Sequence, residues 1–144
     1  MLDLNSIEYL QTAEGLEALY GDAAPASLRK VVDRVTPKFW QWISSSRFCV
    51  LTTVGRAGTD GSPRGDDCPT VIALDEYTLA MPNWRGNNRL DSLRNIAEDG
   101  RVSLFFLIGG ENFAVRVNGI ARLSADDKLR ALFERTGTSP TPLS

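Results

Sequence analysis

The 144-residue sequence predicts a small antiparallel β-barrel in a mainly β or α+β domain, with helices before it, one inserted in it and one after it. Three observations carry that prediction. Apolar residues recur at helical spacing before residue 47, β-branched and aromatic runs dominate from there to residue 124, and the intervening connections are short and rich in glycine, proline and aspartate. The chain reads as one domain over 1–144: a helical segment 1–46, a barrel 47–124, and a helix with tail 125–144. With 42% hydrophobic residues it can bury a real core, roughly 70% of the unfolded surface at this size.

The elements follow in order. Asn5-Ser-Ile-Glu8 has the form of a capping box, and Ile7, Leu10, Leu16 and Leu19 continue at helical spacing until Gly21 stops the run. Pro25 suits the first turn of a second helix with Leu28, Val31, Val32 and Val35 on one face. Thr36-Pro37 reads as a new cap and restart, leading to Phe39, Trp40, Trp42 and Ile43. Residues 48–54 are β-branched and aromatic and end at Gly55, so a first strand lies there.

The segment 55–67 holds Gly55, Gly58, Gly61, Gly65 and Pro63, and predicts a connection rather than a strand. Residues 70–74 and 78–81 read as short strands around an Asp75-Glu76 turn. Leu90, Leu93, Ile96 and Ala97 make the apolar stripe of an inserted helix that Gly100 ends. Residues 101–108 become apolar on both faces, as in a central strand covered on both sides, one cover being available from a partner subunit. In the next strand Phe113, Val115, Val117, Ala121 and Leu123 alternate with Asn112, Arg116, Asn118 and Arg122, with a bend expected at Gly119. Ser124-Ala-Asp-Asp127 predicts a last capped helix with Leu129, Leu132 and Phe133 inward.

The chemistry concentrates in Met81-Pro-Asn-Trp-Arg-Gly-Asn-Asn-Arg-Leu-Asp-Ser-Leu-Arg-Asn-Ile96. Arginines and side-chain amides there crowd a turn that opens into an amphipathic helix. A helix start offers unpaired N–H groups and the positive end of the macrodipole, while Arg85 and Arg89 add planar forks matched to phosphate oxygens. The residue types permit a plainer reading too: Asn87 or Asn88 as a helix cap, Gly86 as a turn residue, and the arginines as solvated charges.

Composition excludes several functions. A net charge of −2 argues against a broad nucleic-acid or acidic-membrane footprint, so any anion site must be local. There is no histidine, and Cys49 and Cys68 lack metal-ligand spacing, so no metal site is expected and neither is Ser-His or Cys-His catalysis. No apolar run reaches the ~20 residues of a membrane span, and the amino terminus lacks a secretory pattern, so the expectation is a cytoplasmic protein with its cysteines reduced.

Taken together, residues 48–54, Gly61-Ser-Pro-Arg-Gly-Asp66, Gly86-Asn-Asn-Arg-Leu-Asp-Ser-Leu-Arg-Asn-Ile96, Val102-Ser-Leu-Phe-Phe-Leu107 and Val115-Arg-Val-Asn-Gly119 resemble the pyridoxamine 5'-phosphate oxidase-like family, in order and spacing from about residue 30 to 124. The resemblance implies a split β-barrel with N-terminal and flanking helices, a homodimer, and FMN held in clefts between subunits. It implies that Asn87, Asn88 and Arg89 grip the FMN phosphate, that Asn83 and Arg85 lie on the approach, and that Arg64 holds the phosphate or ribityl chain. Asp66 then pairs with Arg64 or accepts from ribityl hydroxyls, and Cys49 and Thr52 lie near the flavin face.

The implied function is a flavin-dependent oxidoreductase acting on a small molecule. The alternatives are a non-catalytic flavin-binding or sensing protein, and a module for F420 or another anion. Ala114 stands where the oxidases proper have a glutamine, and their carboxyl-terminal substrate arginine and histidine have no counterpart here, which argues against pyridoxamine phosphate oxidation itself. Arg116 and Asn118 are further candidates to face the flavin ring, against the plainer reading of a solvated strand face.

Overall fold

A computed structural model describes residues 1, 3–28, 30–67, 69–84 and 90–133. The chain divides into two compact units, Met1–Asp33 and Arg34–Ser144.

In the first unit the Asp3 carboxylate accepts the Asn5 N–H at 3.0 Å and caps a single 3-10 turn, Leu4–Ser6. The helix predicted from Asn5 instead begins later, as α1 over Ala13–Tyr20. Its start is set by Thr12, whose hydroxyl accepts the Gly15 N–H at 3.1 Å. Gly21 ends it as expected, at φ +69°, with its N–H on the Glu17 carbonyl at 2.8 Å. The second helix, α2, is only Pro25–Leu28, shorter than predicted and ending before the β-branched Val31 and Val32. These elements contain no buried residue.

The second unit opens as the sequence predicts. Helix α3 spans Pro37–Ser45, with Thr36 accepting the Phe39 N–H at 3.3 Å and Pro37 in the first turn, where its missing N–H costs nothing. It buries Ile43 completely. Strand β1, Phe48–Gly55, is followed by β2 over Gly58–Gly65. The glycine-rich segment expected to be a connection is thus mostly a strand. Gly55 pairs with Gly58 around a two-residue turn, and the register runs unbroken to Phe48 with Gly65. β2 lies at the edge of the sheet, where Pro63 is tolerated because one side of the strand needs no ladder bonds.

The four-stranded antiparallel sheet has the order β2-β1-β5-β6, with β5 at Arg101–Leu107 and β6 at Ala114–Ile120. The short pair β3 (Ile72–Ala73) and β4 (Leu79–Ala80) forms a second sheet around the predicted turn, where the Asp75 carboxylate accepts the Tyr77 N–H at 2.8 Å. Helix α4 occupies Asp91–Glu98 and α5 Asp127–Ala131. The fold is mixed α and β around an antiparallel sheet, as the sequence predicts.

One sheet face carries Cys49, Leu51, Phe106, Val115 and Val117 inward; Ile43, Val71, Cys49, Phe106 and Val115 form the buried cluster, packed by Val35, Phe39, Trp40, Trp42, Leu79 and Met81. On the other face, Phe48, Phe105 and Leu107 are 40%, 42% and 43% exposed, so among the described residues of this unit the double covering expected of β5 is incomplete.

Other details differ as well. Ala97 is exposed, and Ser92 takes a buried place beside Leu93 and Ile96 in the α4 stripe. Strand β6 runs through Gly119 and stops at Ile120. Asp126, rather than Ser124, caps α5, its carboxylate accepting the Lys128 N–H at 2.8 Å and the Leu129 N–H at 3.3 Å; Leu132 stays exposed.

Candidate functional site

Strand periodicity places Arg64. In β2 the residues Ser62 and Arg64 are half-buried while Gly61, Pro63 and Gly65 are exposed, so Arg64 projects from the same face as its register partner Cys49, toward the core side. There its Nη1 donates to Asn83 Oδ1 at 3.2 Å. Asn83 follows β4 and the buried Pro82. Two predicted site residues 19 positions apart in sequence are therefore joined directly.

The hydrogen bond given to the guanidinium among the described residues goes to Asn83 rather than Asp66, leaving Arg64 Nε buried without a partner among them. A buried donor on a charged group is costly to leave unmade, and an anion is the natural acceptor. Beside it opens a cavity of about 200 Å³ lined by residues 63–66 of β2 and its end, together with Thr70, Met81, Pro82 and Trp84. At that size it admits one end of a cofactor rather than the whole of one.

Thr70 is a cavity residue that sequence reasoning did not single out. It is 5% exposed, and its Oγ1 likewise has no hydrogen-bond partner among the described residues. Read along the sequence it is merely the first residue of a short strand, and no motif signals more. Burial pushes the Cys49 thiol above its ordinary 9.0, while the Thr70 hydroxyl and the Arg64 charge nearby pull the other way.

Arg85, Asn87, Asn88 and Arg89 lie outside the described residues, as does Cys68. The described chain on the far side resumes at Leu90, the N-cap of α4, which makes no side-chain capping bond among the described residues. Helix α4 thus begins at Asp91, and an apolar residue occupies the position that an asparagine cap would have filled. Asp91 puts a carboxylate in the first turn.

Cys49 and Thr52 cannot both face one ligand, since strand alternation turns them to opposite sides of β1: Cys49 is buried and Thr52 half-buried toward the open face. Arg116 and Asn118 are exposed on that open face, paired with Phe105 and Ser103. Among the described residues, no helix is long and apolar enough to cross a membrane, and no group of three or more acidic or cysteine side chains gathers as a metal site.

The profile of pyridoxamine 5'-phosphate oxidase matches residues 35–141, more than half of the chain. The chain belongs to the pyridoxamine 5'-phosphate oxidase family. Members of this family commonly bind flavin and often dimerise. Among solved structures, a variant of HupZ from Group A Streptococcus is similar at a TM-score of 0.54 and 16% identity, covering 68% of this chain and 80% of that one, a likeness of fold. No curated protein matches the sequence.

Proposed function

We propose that this family member binds FMN and serves as a flavin-dependent oxidoreductase on a small molecule. The observation that carries the reading is Arg64, held by Asn83 at 3.2 Å with its Nε left for an acceptor at the wall of the cavity. A flavin supplies hydride and electron transfer, so the protein's own work is to bind and orient it and to exclude water. The absence of histidine is compatible with that division of labour.

Arg64 and Asn83 form the described part of the proposed grip, and Arg85, Asn87, Asn88 and Arg89, which lie outside the described residues, are the rest of the grip proposed from the sequence. The open face bearing Phe48, Phe105 and Leu107 supports a homodimer, because so contiguous an apolar surface is normally covered.

The test is a visible absorption spectrum of the purified protein, followed by titration with FMN, FAD and riboflavin. FMN is expected to bind most tightly because the proposed grip is for a terminal phosphate monoester. Equal affinity for riboflavin sinks that assignment. Turnover with NAD(P)H as reductant then separates an oxidoreductase from a flavin-storing or flavin-sensing protein.

A further inference from the structure

Helix α4 is fixed to the β1–β2 hairpin by polar side chains as well as apolar ones. Leu93 and Ile96 supply its buried apolar surface, but burial has no direction and by itself tolerates a slide of the helix along the sheet. Direction comes from two side chains three residues apart on the same face. Asn95 donates its amide to the Thr53 hydroxyl on β1 at 3.0 Å, and Ser92 donates to the Asp60 carboxylate on β2 at 3.4 Å. Thr53 and Asp60 are themselves register partners, so both bonds reach one point of the hairpin. The exposed Arg56–Glu98 ion pair at 3.3 Å adds little to this. A slide of α4 by one turn, about 5.4 Å, breaks both bonds.

Thr53 is fully buried, so it touches no ligand itself. What it holds is the place of the first turn of α4 against β2. Arg89 and Leu90 immediately precede Asp91, the first residue of α4, in the sequence, and β2 carries Arg64 on the same face as Asp60, about 13 Å along the strand. We infer that Thr53 is a positioning residue for the proposed cofactor grip: through Asn95 it sets where α4 starts relative to β2, and so the spacing between the Arg64–Asn83 pair and the chain that carries Arg89. The inference rests on the flavin reading and deepens it by naming the buried contact that fixes the spacing of the site. Hydrogen bonds to a phosphate weaken steeply with misalignment, so an error in that spacing is felt by FMN and not by riboflavin, which lacks the phosphate.

The experiment titrates the wild type, Thr53→Val, Thr53→Ser, Arg89→Ala and the Thr53→Val, Arg89→Ala double variant with FMN and with riboflavin. Valine keeps the side-chain volume and loses the acceptor for Asn95, whereas serine keeps the acceptor. Thr53→Val is expected to weaken FMN binding about 2- to 12-fold, the range for one neutral hydrogen bond, with riboflavin binding unchanged. Thr53→Ser is expected to keep the wild-type ratio of FMN to riboflavin affinity. In the Arg89→Ala background Thr53→Val should cost FMN nothing further, because the group it places is gone. If Thr53→Val does not fold, Asn95→Ala takes its place, since Asn95 is only half-buried and its loss removes the donor of the same bond. Unchanged FMN binding, equal losses for the two ligands, losses that add in the double variant, or a serine variant as weak as the valine one each overturn the inference while the flavin reading stands. A wild type that binds no flavin overturns the flavin reading, and this inference with it.

Discussion

Asn95 on α4 donates its side-chain amide to the Thr53 hydroxyl on β1 at 3.0 Å, and it lies in space that only a glycine at position 55 leaves open. A methyl on Gly55 would overlap the Asn95 amide. Thr53 is fully buried, so pushing Asn95 aside leaves a buried hydroxyl short of its partner.

Gly55→Ala is therefore expected to destabilise the fold by about 1–3 kcal/mol, read from urea unfolding. In an Asn95→Ala background the same substitution should cost markedly less, because the overlapping atoms are gone. Strictly additive costs would show that the damage lies in the β1–β2 turn rather than in the α4 contact.

Arg64→Ala and Arg89→Ala should each weaken FMN binding about 10- to 150-fold, the range for a charge-assisted hydrogen bond of about 1.5–3 kcal/mol. The lysine variants should recover only part of this, because an ammonium lacks the planar fork. Riboflavin is the control for Arg89: if its binding falls as far as that of FMN, Arg89 supports the pocket's shape and not the phosphate.

Replacing Phe105 by aspartate puts a charge on the open sheet face, where the wild-type ring is 42% exposed. If that face pairs two copies, sedimentation should show a dimer for the wild type and a monomer of unchanged secondary structure for Phe105→Asp. A flavin-loaded wild-type monomer at micromolar concentration excludes the dimer.

The Cys49 thiol has its pKa raised in the folded state, chiefly by burial. Protonated thiol is thus favoured by folding, so the associated stability is fully present below the unfolded value of 9.0 and is lost as pH rises through the higher folded value. Between pH 8 and pH 10 the wild type should lose more unfolding free energy than Cys49→Ala measured alongside it, a comparison that cancels tyrosine and lysine titration. Equal losses would mean that Cys49 ionises as freely folded as unfolded.

Much of the fold was legible because it is decided locally. Thr36-Pro37 caps and opens α3, Gly21 stops α1, and the apolar runs of β1 and β5 become adjacent strands, each a matter of propensity and capping within a few residues. The proposal of an anion grip in the stretch around Asn83 likewise came from residue types alone. Register and burial were not. The glycine-rich segment became β2 because β1 supplies its hydrogen-bond ladder, against its own turn propensity. That pairing turns Arg64 toward Asn83 rather than Asp66, and only the return of the chain through β3 and β4 brings Met81 and Pro82 to the cavity that Arg64 and Thr70 also line. Local chemistry chose the groups; long-range pairing, in which a shift of one residue reverses every side chain, decided which of them meet.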